Sequence, residues 1–439
     1  MFLPRIRVCA SITLIIITIT GCASYSPEYA DFSEPLTRPE TAHIHVDADI
    51  AEFIAFAHEH HPSVKAAMAD IESANAALTS AGAFADPQFS VAQGLNNSDF
   101  RTLSVEQEIP LFNRRGMAIE QAQIAKRSAQ AQLDAVKAEV SVNVVAAFAE
   151  YLYVLESQAL QEELIQLLKQ FTAVAEQSYA TGSVSLSDLL RAQNAVDSAL
   201  AEQLNLEQLV ISQRARLNAA LGRDSREPLA GEYSLVDSHR NFAKLPADIE
   251  TLYALADENS PQLALSRFAI ESQTVARDIA GIAGLPKLMV GVEYMNEAMG
   301  SGTFAGMASV SLPIWRSNYR AQREAAESAY QAAQHRLYSS QLEVQADLSI
   351  AIFQWREAER NRELFGKVLT ARAEQAVATS LSNYQNGNAS YTDVISSQQE
   401  WLSFALAYRR ALANQLTAVA AIKSLISSGA NSEVSNEKH

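Results

Sequence analysis

One feature limits the fold before any other: the chain says almost everything twice. His61-Pro62-Ser63 and Ile71-Glu72-Ser73 return as Ser260-Pro261-Gln262 and Ile270-Glu271-Ser272 at one constant offset, and Pro87 returns as Pro286 at the same offset. Ile109-Pro110-Leu111-Phe112 returns as Leu312-Pro313-Ile314-Trp315. Tyr179-Ala180-Thr181-Gly182, Ser185, Asp188 and Gln193 return as Tyr384-Gln385-Asn386-Gly387, Ser390, Asp393 and Gln398. Landmarks in the same order with small drift predict two copies of one supersecondary unit packed with pseudo-symmetry. The reading places the first repeat at 46–230, a linker at 231–246 and the second repeat at 247–428.

Each copy has the same internal order. A helix of moderate length is predicted over 47–82 and again over 247–283, followed by two short strands, a very long helix, a Gly-containing turn and another helix. Residues 117–181 contain neither Gly nor Pro, and at about 1.5 Å per residue could reach on the order of 100 Å. Leu160, Leu164, Leu167, Phe171 and Val174 step by four and three, a coiled-coil seam, and Val145, Phe148, Leu152 and Leu155 form a similar stripe. In the second copy, 314–386 is interrupted only by Gly366. Helices this long need lateral partners along their whole length, since an isolated helix is marginal in water.

The strands alternate. Leu103, Val105 and Ile109 are separated by Ser104, Glu106 and Glu108; Leu288, Val290, Val292 and Tyr294 are separated by Met289, Gly291 and Glu293. Asn96 to Asp99 and Asn296 to Thr303 are polar stretches suited to hairpin tips. A membrane β-barrel strand needs such alternation, but a half-buried soluble hairpin alternates identically, so the pattern leaves both open. If the strands enter a bilayer, four cannot close: an open edge strands backbone polar groups in hydrocarbon, and the smallest barrels have about eight strands. Several chains would have to pool strands in a ring, and three would supply twelve.

The amino terminus reads as a targeting segment over 1–21. Arg5 and Arg7 precede an apolar run from Val8 to about Ile19, too short to span a bilayer. Ile19-Thr20-Gly21-Cys22 is similar to a bacterial lipobox, which makes Cys22 the expected lipidated residue; Ala23, rather than Asp, follows it and favours the outer membrane. Residues 22–45, with Pro27, Pro35 and Pro39, read as an extended linker, and 429–439 as a disordered tail. The only cysteines are Cys9 and Cys22, so no disulfide or thiol metal cluster is expected. No apolar run after Cys22 reaches the length of a membrane-spanning helix.

Charge and motifs exclude other classes. A net charge of −16 argues against a nucleic-acid partner, whose phosphates require Lys and Arg. There is no phosphate-cradling Gly loop, no zinc-type His-Glu-x-x-His and no nucleophile elbow, so no enzyme and no cofactor beyond the lipid are expected. His43, His45, His58, His60 and His61 are grouped, but the spacing of His58 and His60 splits them across a helix face, which favours solvated histidines over a metal site.

These features resemble the TolC-like outer-membrane efflux family over essentially the whole chain after residue 22. The residues that carry the resemblance are Asp86-Pro87 and Leu285-Pro286, the Ile109–Phe112 and Leu312–Trp315 strand ends, and the Tyr-x-x-Gly turns. The stretch Tyr384-x-x-Gly387-x-x-Ser390-x-x-Asp393-Val394-Ile395 is similar to the family's tip motif. The lipobox and compact length look more like the lipoprotein branches, such as the CzcC- and CusC-type heavy-metal exporters or drug-exporting relatives, so the implied duct would pass metal ions or small toxic compounds. The resemblance implies a mainly α fold with a small β part: a long-helix α-barrel beneath a trimeric twelve-stranded β-barrel. It also implies a homotrimer, lipid-anchored in the outer membrane and extending into the periplasm. A periplasmic adaptor and an inner-membrane pump would be its partners.

The same resemblance assigns roles at the tip. Asp393 matches an acid lining the periplasmic constriction; Asp188 and Tyr384 match a pair that tethers neighbouring helices when the duct is closed. Gly182 and Gly387 lie in the turns that meet the adaptor. Two latch positions depart from the family pattern, with Ala389 in place of an Arg and Ser396 in place of a second acid. From the residues alone, Asp393 and Asp188 read equally as helix-start charges, and Gly182 and Gly387 as turn glycines. Two other readings stay open: a periplasmic coiled-coil lipoprotein scaffold, and a duct for polypeptide secretion.

Overall fold

The computed structural model describes residues 49–93, 101–229, 231, 233–242, 245–246, 248–296, 302–386 and 388–427. Cys22, the 1–21 segment, the 22–45 linker, His43, His45, Gly387 and the 429–439 tail lie outside the described residues.

Each predicted moderate helix is two helices. In the first repeat they are α1 (Ile50–His60) and α2 (Pro62–Ala81). Pro62 and Pro261 force the break: proline lacks the N–H that would continue the ladder and clashes with the preceding turn, yet suits the first position of a new helix. β1 (Gln88–Gln93) and β2 (Arg101–Ile109) follow. Then come the long α3 (Arg114–Ala180, 67 residues), the returning α4 (Leu186–Leu221), and α5 (Leu235–Phe242), a short helix where the sequence suggested only linker. The second repeat runs α6 (Ile249–Asn259), α7 (Pro261–Ile282), β3 (Leu288–Asn296), β4 (Gly302–Val310), α8 (Arg316–Leu364), a π-helical segment (Phe365–Leu369), α9 (Thr370–Gln385) and α10 (Tyr391–Ile426).

The duplication is visible in what is buried. Phe53, Ala57 and Val64 pack against Val145, Phe148 and Ala149 in one core; Leu252, Ala256 and Leu263 pack against Leu348, Ala351 and Ile352 in another. The pairs Phe53/Leu252, Ala57/Ala256 and Val64/Leu263 share the offset that relates Pro62 to Pro261. The first core is the larger, with the Phe53 and Phe148 rings 4.8 Å apart and Tyr233 edge-on to both. Each fully buried Phe, Leu, Ile or Val side chain in these cores stabilises by about 1.5–3 kcal/mol. α3 contains one stretch apolar enough for a membrane span, but half of it is buried inside the fold. That stretch supplies Val144, Val145, Phe148 and Leu152 to the core, which explains its hydropathy without a bilayer.

The π-helical segment has a sequence cause. The second repeat is two residues longer between Leu312 and Tyr384 than the first is between Ile109 and Tyr179. A π-turn absorbs an inserted residue without breaking the helix. Gly366 sits there because a Cβ would stand 2.5 Å from a ring carbon of Tyr408.

The four strands form one antiparallel sheet in the order β1-β2-β3-β4, so the two repeats join through β2 and β3. The register aligns Phe89, Val105, Val292 and Gly306 across the sheet, and Val91, Leu103, Tyr294 and Phe304 on the same face. The opposite face aligns Ser90, Ser104, Glu293 and Ala305, and Gln88, Glu106, Gly291 and Met307. The apolar face is uncovered: Phe89, Val292 and Phe304 are 65%, 61% and 79% exposed. A soluble hairpin would bury that face against its own protein.

Candidate functional site

The candidate site is the end of the helices remote from the sheet, where α3 turns into α4 and α9 turns into α10. The α3–α4 turn closes on Gly182, whose φ of 74° is the left-handed conformation that favours glycine. The Ser183 amide donates to the Ser178 carbonyl at 2.8 Å. In the second repeat the Asn388 amide donates to the Asn383 carbonyl, also at 2.8 Å, at the equivalent positions.

Both returning helices start on a serine–aspartate pair. Ser185 Oγ accepts from the Asp188 amide at 3.2 Å and donates to Asp188 Oδ2 at 2.7 Å. Ser390 Oγ accepts from the Asp393 amide at 3.2 Å and donates to Asp393 Oδ2 at 2.8 Å, while the Ser390 amide also donates to that oxygen at 2.9 Å. Asp393 thus completes a capping box at the start of α10. The Ser390 side-chain donor, with its backbone donor second, holds the Asp393 carboxyl below the ordinary carboxylate value. Within one chain, therefore, Asp393 is a well-solvated anion held by its helix cap.

Behind the caps, aromatic side chains join the two hairpins. Phe171 of α3 lies 4.8 Å from the Tyr384 ring and 5.2 Å from the Tyr391 ring, between Ala192 and Val394. Both phenol oxygens are buried without a hydrogen-bond partner. Burial, and then the nearby Asp188 charge, raises the Tyr384 phenol. Burial pushes Tyr391 up to about 12, with Tyr384 and Asp188 adding to the rise and Arg191 opposing it. The structure therefore brings Asp188 near Tyr384, but no hydrogen bond joins them. Tyr391 belongs to the same cluster as Phe171, and the Arg191 charge acts on its phenol; the sequence marked neither Tyr391 nor Arg191, and marked Phe171 only as a seam residue. Tyr391 occurs in only one repeat, where the first has Leu186, so the duplication did not mark it.

Beside the caps an open groove of about 560 Å³ runs between α9 and α10, lined by Arg372, Thr379, Ser380, Asn383, Asn388 and Asp393. It offers hydrogen-bonding side chains to a partner rather than an enclosed cavity for a small molecule.

The described members of the histidine group, His58, His60 and His61, do separate structural work. His58 Nε2 is 2.8 Å from Ser141 Oγ and 3.1 Å from the Lys137 carbonyl, and burial lowers its pKa. His60 stacks on Phe56, and His61 Nδ1 accepts from the Ser63 amide to cap α2.

Comparison with known proteins agrees with this geometry. The family model described as outer membrane efflux protein matches residues 54–223 and 252–428, the two repeats. The cobalt-zinc-cadmium resistance protein CzcC of Cupriavidus metallidurans is 23% identical over 375 residues, covering 83% of this chain and 86% of the relative. The outer membrane protein VceC of Vibrio cholerae superposes with a TM-score of 0.71 at 18% identity, covering 86% of this chain and 96% of its own. A crystal structure of CusC, described in terms of transmembrane channel formation, superposes with a TM-score of 0.75 at 16% identity, covering 88% and 93%. With both repeats matched in order and the same fold in channel proteins, this chain belongs to the outer membrane efflux protein family.

Proposed function

We propose that three copies of this chain form the outer-membrane exit duct of a tripartite efflux system whose cargo is divalent metal ions. The observation that carries the reading is the sheet: an uncovered apolar face, a polar opposite face, and two unpaired edges, β1 and β4. An apolar face fits lipid, and unpaired edges in lipid must find partners. Pairing β4 of one copy with β1 of the next closes a ring, and twelve strands fit a barrel. Ser104, Glu106 and Glu293 would then line the lumen.

The remaining parts follow from position. α2 spans 20 residues, or about 30 Å, between α1 and the sheet. The stretch from Cys22 to Asp49 could extend up to about 90 Å, enough for a lipid on Cys22 to reach the same membrane. The opposite, periplasmic end carries Asp393, whose three copies would ring the axis as a gate favouring cations, with Asp188 and Tyr384 beside it. The Gly182 and Gly387 turns and the adjoining polar groove would receive the adaptor, which connects to the inner-membrane pump. No catalytic step is needed of the duct. The metal cargo is supported by the likeness to CzcC and by lumenal carboxylates.

The test is direct. Protein extracted in detergent should have three times the mass of the processed chain and form cation-selective channels in planar bilayers. Deleting it should sensitise cells to zinc, cobalt or cadmium. A detergent-free monomer without conductance would remove the duct; trimeric channels with unchanged metal tolerance would remove only the cargo.

A further inference from the structure

We propose that Arg316, Arg320 and Arg323 form a docking stripe for anionic phospholipid headgroups in the periplasm-facing leaflet of the membrane. The inference rests on the duct reading above.

All three arginines are exposed, at i, i+4 and i+7 on the first two turns of α8. Neither Arg316 nor Arg320 has an acidic partner among the described residues, and Arg323 Nε reaches only the Tyr319 carbonyl at 3.4 Å. Other arginines at strand–helix junctions are used internally. Arg114 donates to the Ile282 and Leu285 carbonyls at 2.8 and 3.0 Å, closing the end of α7. Arg115 donates to the Gly82 carbonyl at 2.8 Å and covers the Phe84 ring. The α8 stripe has no such task. Its charges also oppose the helix dipole, since no acid occupies that first turn. An anion from outside the chain would remove that cost.

Heptad phase places the stripe on the wall. The phase that holds Leu337, Val344 and Ala351 against α6 and α7 continues upward through Tyr330 to Arg323 and Arg316. The phase of Trp355 and Leu348 continues through Glu327, which pairs with Arg277 at 3.8 Å, to Arg320. Lower down α6 packs on this face, so the face is the outside of a duct, because a helix on the inside would fill it. In the first two turns Tyr319 packs back toward Gly284, while Arg316, Arg320 and Arg323 stay exposed.

Height supplies the ligand. Leu312, Ile314 and Trp315, each more than two-thirds exposed, immediately precede Arg316 and follow the last residue of the apolar sheet face, Val310. Exposed Trp beside an apolar band marks the membrane–water boundary. From Arg316 to Arg323 is about 10 Å along the axis, somewhat more than the roughly 5–8 Å of headgroup layer in one leaflet, a difference that side-chain reach can span. Arginine side chains can also bend their charge toward phosphates while their stems lie along apolar surface. In a chain of net charge −16, an unpaired basic stripe at this height fits an anionic lipid.

The experiment uses the full-length protein in phosphatidylcholine vesicles with a rising phosphatidylglycerol fraction. Wild type is compared with the R316Q/R320Q/R323Q and R316K/R320K/R323K variants. Flotation reports insertion; lipid retained through detergent extraction reports preference. Wild type should retain phosphatidylglycerol over phosphatidylcholine by roughly five-fold per arginine, on the order of a hundred-fold per chain, with the preference collapsing in high salt. The Gln variant should float but lose the preference, and the Lys variant should keep it. Wild type that does not float overturns the duct reading and the stripe with it. Wild type that floats without preference overturns the stripe alone, whatever the variants do. A Gln variant that keeps the preference, or loses it only by dissociating into monomers, also overturns it; dissociation would make the arginines subunit contacts.

Discussion

Adjacent residues of β3 should respond oppositely to the same substitution. Val292 lies on the apolar face beside Val105 and Gly306, and Glu293 on the polar face beside Ser104 and Ala305. Both are near the middle of nine-residue strands. Replacing Val292 with Arg puts a charge into hydrocarbon near the bilayer midplane, at a cost of about 2–4 kcal/mol per chain. Three copies per ring make this roughly 6–12 kcal/mol, comparable with the whole stability of many folded proteins. Replacing Glu293 with Arg instead exchanges one hydrated charge for another in an aqueous lumen, and surface changes of that kind are usually within about 0.5 kcal/mol. The assay is the amount of trimer in outer-membrane fractions and its resistance to heat in detergent. Val292→Arg should lose most of the assembled trimer, whereas Glu293→Arg should assemble normally and shift ion selectivity toward anions. Equal tolerance of both would place the apolar face in water, and equal damage would place both faces in a packed core; either refutes the membrane sheet.

Four further outcomes are expected. Asp393→Asn should weaken cation selectivity and divalent block in single-channel recordings; unchanged recordings would make Asp393 only the N3 partner of the Ser390 capping box. Because Ser390 depresses the Asp393 pKa, its ionised cap contributes above the unfolded carboxylate pKa and is lost as pH falls through the lowered folded value, so the start of α10 should loosen to hydrogen exchange in acid. Gly366→Ala, which would stabilise an ordinary helix by about 1 kcal/mol, should here destabilise by about 1–3 kcal/mol by meeting Tyr408; thermal melts of the single variant beside one also carrying Tyr408→Ala should show relief in the pair. Cys22→Ser should abolish palmitate incorporation while leaving the trimer assembled, and persistent labelling would rule out Cys22 as the anchor.

Long α3, the paired helix returns and the alternating strands were legible in the sequence because each follows from local pattern. Absence of Gly and Pro, heptad spacing and period-two alternation act over a few residues, and the duplication reported each signal twice. The helix breaks at Pro62 and Pro261 were legible too, but the shared periodicity on either side masked them. Whether the apolar strand face is covered is a relation between distant segments, and only the tertiary structure decided it. The joining of β2 to β3 across the repeats, the meeting of Phe171 with Tyr384 and Tyr391, and the π-turn of Gly366 against Tyr408 are likewise contacts between residues far apart in the chain. Local propensity specifies which elements form. The pairing of their edges and faces is fixed by packing, which no short window of sequence contains.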